Sequence, residues 1–327
     1  MSASPWPVDF LDVLDARRRI APYLVPSPLR RYPTLDAAVG GGIRVHVKHE
    51  NHLPTNAFKV RNALSVLTRL SAEERRRGIV GATRGNHGQG LAWAGSALGI
   101  PVTVCVPEGN NPEKNAAMVG DGATLVEAGR DYDEAVAAAD RLVRERGLRL
   151  VHSTNDPDVI AGAGTMTVEI LEAEPRLDAI VYSIGGGSQA VGGMIAARTL
   201  APSVAIYGVQ AAGASAIHDS WHAGRPLSKE SAVTIADGLA TRNTYPATFE
   251  ALRAGLAGFV TVEEGEIAEA IRLLLTTTHN VAEGAGAAGL AGLLRLRGEL
   301  AGKNVAIVIS GGNIDRETLN KVLDGRI

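Results

Sequence analysis

The sequence predicts an α/β fold of two lobes, each a mostly parallel twisted sheet flanked by helices. Three observations predict it. Short apolar runs rich in β-branched residues alternate with longer helical patterns, as parallel strands joined by crossover helices require. At 327 residues the chain exceeds an average domain. No tandem repeat or low-complexity linker divides it, so the lobes are expected to interlock.

In chain order, the expected strands are Ile43 to Val47, Gly78 to Thr83, Val102 to Val106, Ala123 to Glu127, Arg149 to His152, Ala179 to Ile184, Ala205 to Gln210 and Val305 to Ser310. Helices fill the intervals. In Asp131 to Arg146, Ala135, Ala138, Ala139, Leu142 and Val143 recur at helical spacing, and Glu263 to Thr278 reads likewise. Pro, Gly and Asn cluster at Glu108 to Pro112 and at Thr154 to Pro157. Residues 79–151 are therefore expected to form a small lobe, inserted into a larger one made of 1–78 and 152–327.

Composition narrows the function. A formal net charge of −2 gives no electrostatic reason to expect nucleic acid or an anionic membrane as partner, so a small-molecule substrate is expected. The single cysteine, Cys105, excludes an intrachain disulfide and suits a reducing compartment. The start, Met-Ser-Ala-Ser-Pro-Trp-Pro, has neither a basic nor an apolar leader segment. No apolar run approaches the roughly 18 residues of a membrane span. A cytoplasmic enzyme is expected.

Pro54-Thr55 opens a helical run, with Thr55 or Asn56 as N-cap and Lys59 in its first turns. Lys59 shares a stripe with Ala63, Val66, Leu67 and Leu70, the face that should meet the core. A charge near a helix N-terminus and away from water is disfavoured by dipole and desolvation, and both lower an amine's pKa. A neutral amine forms Schiff bases. A lysine snorkelling to the surface is the competing explanation.

Two glycine-rich segments follow strands. Arg84-Gly85-Asn86-His87-Gly88-Gln89-Gly90 precedes the apolar helix Leu91 to Leu98, and its exposed amides suit a carboxylate or phosphate; a tight connection would look the same. Gly185-Gly186-Gly187-Ser188 precedes the helix Gln189 to Leu200 and makes a phosphate cradle. Gly185, Gly187 and Ala190 also satisfy G-x-G-x-x-A, but the next strand ends at Gln210 where a dinucleotide site needs an acid. A monophosphate ligand fits better than NAD. The last strand ends at Ser310-Gly311-Gly312-Asn313, placing a hydroxyl at the carboxyl edge of the sheet, or a cap on the next helix.

The order of these segments, Pro54-Thr55-Asn56-Ala57-Phe58-Lys59-Val60-Arg61, Gly85-Asn86-His87-Gly88-Gln89, Gly185-Gly186-Gly187-Ser188 and Ser310-Gly311-Gly312-Asn313, resembles the fold-type II pyridoxal-phosphate enzymes. Their architecture is the tryptophan synthase β-like one. Within them the chain is most similar to the threonine/serine dehydratases and serine racemases. The resemblance runs from about residue 20 to 320 and takes in Ala236-Asp237-Gly238 and Val281-Ala282-Glu283-Gly284.

The resemblance implies pyridoxal 5'-phosphate as cofactor, held by Lys59 as an imine, with Phe58 beside it. It assigns the phosphate to Gly185, Gly186, Gly187 and Ser188, the ring hydroxyl to Asn86, the pyridine nitrogen to Ser310, and places Gly238 and Glu283 near the ring. Arg84, Gly85, Asn86, His87 and Gln89 would meet the substrate. The implied reaction is α,β-elimination of water from a β-hydroxy amino acid, giving a 2-oxo acid and ammonia. A homodimer is implied as well.

Departures from the family pattern bear on the substrate. Many relatives carry serine directly before Gly-Asn-His; here Arg84 stands there and cannot readily relay a proton, so efficient racemisation is not expected. Arg84 suits a polar or anionic substrate side chain, such as that of 3-hydroxyaspartate, or only braces its loop. Ala57 replaces the serine usual before Phe-Lys. Gln210 and Ala216 replace the acids of a divalent-cation site, and no metal is expected there. His279 and Asn280 are further pocket candidates. Threonine or serine leads as substrate, with phenylserine, 3-hydroxyaspartate or a specialised hydroxy-amino acid open. The rivals are β-replacement with sulfide, an NAD-dependent oxidoreductase, and a binding protein without imine chemistry.

Overall fold

The computed structural model describes residues 4–130 and 132–327. Met1, Ser2 and Ala3, read above as part of the N-terminal segment, and Asp131, expected to open a helix, lie outside the described residues. Ten strands form two sheets among the described residues: β1 (Leu29–Arg31), β2 (Arg44–His49), β3 (Ile79–Ala82), β4 (Val102–Val106), β5 (Thr124–Glu127), β6 (Arg149–Leu150), β7 (Ala179–Ser183), β8 (Ala205–Ala211), β9 (Gly258–Val262) and β10 (Asn304–Ile309). The larger sheet has the order β1-β2-β10-β7-β8-β9, and the smaller β5-β4-β3-β6. Of these strand pairs only β1–β2 is antiparallel.

All eight expected strands form, with no end shifted by more than two residues. Two edge strands were not expected. β1 is only Leu-Arg-Arg, too short and polar to read. β9 carries a legible signal in its β-branched Val260-Thr261-Val262. It stands directly before the helix expected from Glu263, which the structure begins at Glu264.

The helices that shape the site are α1 (Lys59–Leu67), α2 (Asn86–Leu98), α3 (Pro112–Gly120), α4 (Tyr132–Arg146), α5 (Pro157–Ala173), α6 (Ser188–Leu200) and α7 (Gly284–Arg295). Two helix starts differ from expectation by more than one residue. The first, α1, begins at Lys59, not at Pro54-Thr55, and neither Thr55 nor Asn56 caps it. The Thr55 hydroxyl donates to the Ala57 carbonyl, and Asn56 turns the chain at φ +51°. Tertiary pairing sets this geometry: Phe58 N donates to Ser310 O, and Ala57 bridges Gly311. Nor is there one apolar stripe, because Val60 to Leu67 are buried on every side of α1.

The second, α2, begins at Asn86 instead of Leu91, so Asn-His-Gly-Gln-Gly is its first turn. Glycine's poor helix propensity is overridden by burial: Gly88 and Gly90 are buried as α2 packs between α1 and β4. Beneath α1, Arg61 is fully buried between Glu50 (2.7 Å) and Glu169 (2.6 Å), and Lys48 joins Glu169 at 2.6 Å. This charge-balanced cluster ties β2, α1 and α5 together. Among the described residues no helix is long and apolar enough to cross a membrane.

Candidate active site

The carboxyl ends of β3, β7 and β10 and the start of α1 converge on a pocket of about 500 Å³. Phe58, Lys59, Arg84, Gly85, Asn86, His87, Gly185, Gly186, Gly187, Ser188, Gly238, Glu283 and Ser310 all line it. Parallel sheets present ligand sites at this edge.

Lys59 is the first residue of α1 and half-buried. Its Nζ donates to the Ser153 carbonyl at 3.0 Å and lies 4.9 Å from the Phe58 ring centroid. Desolvation lowers its pKa to about 8, since few groups around it repay the lost hydration of the ammonium.

The first turn of α2 forms a second feature. The amides of Asn86, His87 and Gly88 have no partner within the helix, and no side chain caps them. Asn86 Nδ2 donates to Glu283 Oε1 at 2.5 Å, while Asn86 Oδ1 accepts from Asn313 Nδ2 at 2.8 Å. Burial pushes the Glu283 carboxyl above its usual range, which favours a neutral acid. His87 is buried with Nε2 3.0 Å from the Val151 carbonyl, so Nε2 carries the proton. Burial first, and the Lys59 charge second, lower its pKa to about 3, and the ring stays neutral.

Gly185-Gly186-Gly187 leads into α6, whose first residue is Ser188. Gly187 holds φ +98°, which side chains rarely adopt. At Gly185 a Cβ would stand 2.1 Å from the Gly238 carbonyl, so only glycine lets the two segments meet. The result is a concave run of backbone amides at a helix start. Ser310 is buried at the end of β10; it does not cap the next helix, Arg316–Leu323, which Asp315 caps.

Some expected residues fall elsewhere. Gln89 lies outside the pocket: the helical start at Asn86 turns it to face Asn313 (3.1 Å) and Asp121. His279 is exposed as the C-cap of the helix Glu264–Thr278, and Asn280 binds His52 at 2.6 Å, both away from the pocket. Gln210 is buried, accepting from His218 N and donating toward Thr241. Several lining residues had no marker in the sequence, notably Lys114, Tyr132 and Ser153. Asp237 was visible only as the neighbour of Gly238.

Residues 20–311 match the family described as pyridoxal-phosphate dependent enzyme. The chain belongs to this family. It is 38% identical over 313 residues to the L-threonine ammonia-lyase of Thermotoga maritima, covering 96% of this chain and 77% of that protein. It is 33% identical over 315 residues to the L-threo-3-hydroxyaspartate ammonia-lyase of Saccharomyces cerevisiae, covering 96% of each. The crystal structure of the threonine deaminase from T.th. superposes with a TM-score of 0.88 at 36% identity, over 94% of this chain and 99% of that one.

The residues present fit pyridoxal phosphate. Its aldehyde requires a deprotonable amine, and Lys59 is one near neutral pH. Its phosphate requires a cradle of amides free of side chains, which Gly185, Gly186 and Gly187 form. As a pyridoxal-phosphate enzyme the chain brings both requirements into one pocket.

Proposed function

We propose that this enzyme is an ammonia-lyase: it eliminates water from a β-hydroxy amino acid of the threonine or serine kind and releases a 2-oxo acid and ammonia. The observation that carries the reading is Lys59, an amine with pKa near 8 in a pocket that also holds two helix starts ready for anions. The names of the ammonia-lyase relatives support it.

When bound, pyridoxal phosphate supplies the electron sink that acidifies the Cα proton of the amino acid. The amides of Gly185, Gly186, Gly187 and Ser188 would bind its phosphate, and Lys59 Nζ would hold it in the resting enzyme. Asn86, braced by Glu283 and Asn313, would contact the ring hydroxyl. Ser310, a neutral hydroxyl on the pocket wall, would face the ring nitrogen and would supply no charge to hold a proton there. The first-turn amides of α2 orient the substrate carboxylate. Lys59 Nζ would act as the base that takes the Cα proton, and the ammonium so formed would return a proton to the β-hydroxyl, which would leave as water. The released enamine hydrolyses to the oxo acid and ammonia. Residues 79–151 act as the lobe that closes and excludes water.

A second reading, elimination from 3-hydroxyaspartate, is favoured by Arg84, an exposed guanidinium on the pocket wall. An Arg84→Ala variant should lose preference for that substrate over threonine; an unchanged profile would sink this reading. No divalent cation is needed at the end of β8, where Gln210 is already hydrogen-bonded, the Ala216 side chain offers no ligand atom and its carbonyl accepts from the Ser220 hydroxyl. We place the enzyme in the cytoplasm, which the buried free Cys105 suits, as a homodimer; light scattering should read twice the chain's mass.

A further inference from the structure

Lys114 stands in the first turn of α3, and its stem lies across Gly85. A Cβ on Gly85 would be 3.1 Å from Lys114 Cδ and 3.8 Å from Nζ, so the ammonium sits beside the start of α2. The side chain is only 12% exposed, and Nζ donates to Asp237 of the facing wall at 2.5 Å. Both residues line the pocket. Asn110 anchors this arrangement by donating to the Arg84 carbonyl.

The electrostatics are unusual for a lysine. Helix N-termini carry partial positive charge, and cations are disfavoured there. Here an ammonium lies in the first turn of its own helix and beside the uncapped start of another. Burial works against its charge, and the Asp237 carboxylate more than reverses this, holding the pKa above the usual lysine value. Glu283 and Asp315 also face it, the former biased toward its neutral form. Asp237 is half-exposed, and its attraction is weakened by water. The uncapped start of α2 and the ammonium therefore stand together on the pocket wall beside the half-exposed Asp237, with Asp315 as a further counter-charge, and an anionic group in the pocket can reach both.

We propose that Lys114 binds the α-carboxylate of the amino-acid substrate beside the first turn of α2, with Asp237 as its positioning residue. An ammonium has three donors, of which Asp237 takes one, so a carboxylate can be bound without breaking the pair. The inference rests on the proposed function only in requiring an amino acid in this pocket.

The test uses two ligands without a β-hydroxyl, L-alanine and L-alaninamide, titrated into the holoenzyme and followed by the visible cofactor band. Only the first has a carboxylate. Lys114→Met should weaken alanine about ten- to hundredfold, the range of a charge-assisted hydrogen bond, and change alaninamide less than about threefold. Lys114→Arg should keep most of the alanine affinity, and Asp237→Asn should lose part of it. Equal weakening of both ligands would mean that the pair only clasps the two walls, and would overturn the proposal. Unchanged alanine binding would overturn it too. Should Lys114→Met fail to fold, Lys114→Gln supplies the same comparison. Oxo-acid release by the wild-type enzyme is measured separately, so failure of the ammonia-lyase reading is told apart from failure of this one.

Discussion

At Lys59, removing water from around an ammonium costs enough to move its pKa from 10.5 to about 8. At pH 7 about a tenth of such amines are neutral, against about one in three thousand for an ordinary lysine. A lowered base pKa means that the neutral form gains as pH rises through about 8 and saturates above it. Cofactor uptake by the cofactor-free protein should therefore speed up about tenfold from pH 6 to 7 and level off near pH 9. A rate still climbing steeply beyond pH 9 in stopped-flow absorbance would show an unperturbed lysine. Lys59 was legible in the sequence less from its own segment, where a surface lysine would read the same, than from its order with the two glycine-rich segments and Ser310. Lys114 was not, because nothing local distinguishes it from a surface lysine; its importance comes from Gly85 and Asp237, which only the fold brings near.

Elements position these residues through contacts that sequence periodicity does not encode. The glycine loop before α6 was legible from composition, and its reason is now steric: Gly185 lies against the Gly238 carbonyl. Gly185→Ala should push the 238 segment outward and weaken cofactor binding at least about tenfold, read by equilibrium titration of the visible band. The start of α1 was misplaced because the Phe58–Ser310 backbone bond and the Ala57–Gly311 bridge prevail over local capping chemistry. Beneath α1, Arg61 holds two glutamates in a dry interior. Removing one member leaves buried carboxylates without compensation, so Arg61→Met should destabilise the fold by about 3–5 kcal/mol in urea unfolding. A loss below about 1 kcal/mol would show that the cluster relaxes or admits water.

On the scale of the whole molecule, the alternation of strands and helices was enough to predict two mostly parallel sheets; β1 escaped as a three-residue polar edge strand, whereas β9, also an edge, carries a readable apolar run and was passed over beside the helix that follows it. What the linear pattern does not contain is the convergence of α1, α2, β7 and β10 on one pocket. That convergence is the basis for reading the protein as an enzyme that breaks Cα–H and Cβ–O bonds in one site with one lysine. The measurement that tests this most directly is product analysis with L-threonine, L-serine and L-threo-3-hydroxyaspartate, after dialysis against EDTA and with no second nucleophile present. At least one of them should yield 2-oxo acid and ammonia in equal amounts, and Lys59→Ala should lose this product together with the visible cofactor band. Product that forms only when sulfide or another nucleophile is added, or that survives in Lys59→Ala, would contradict that reading.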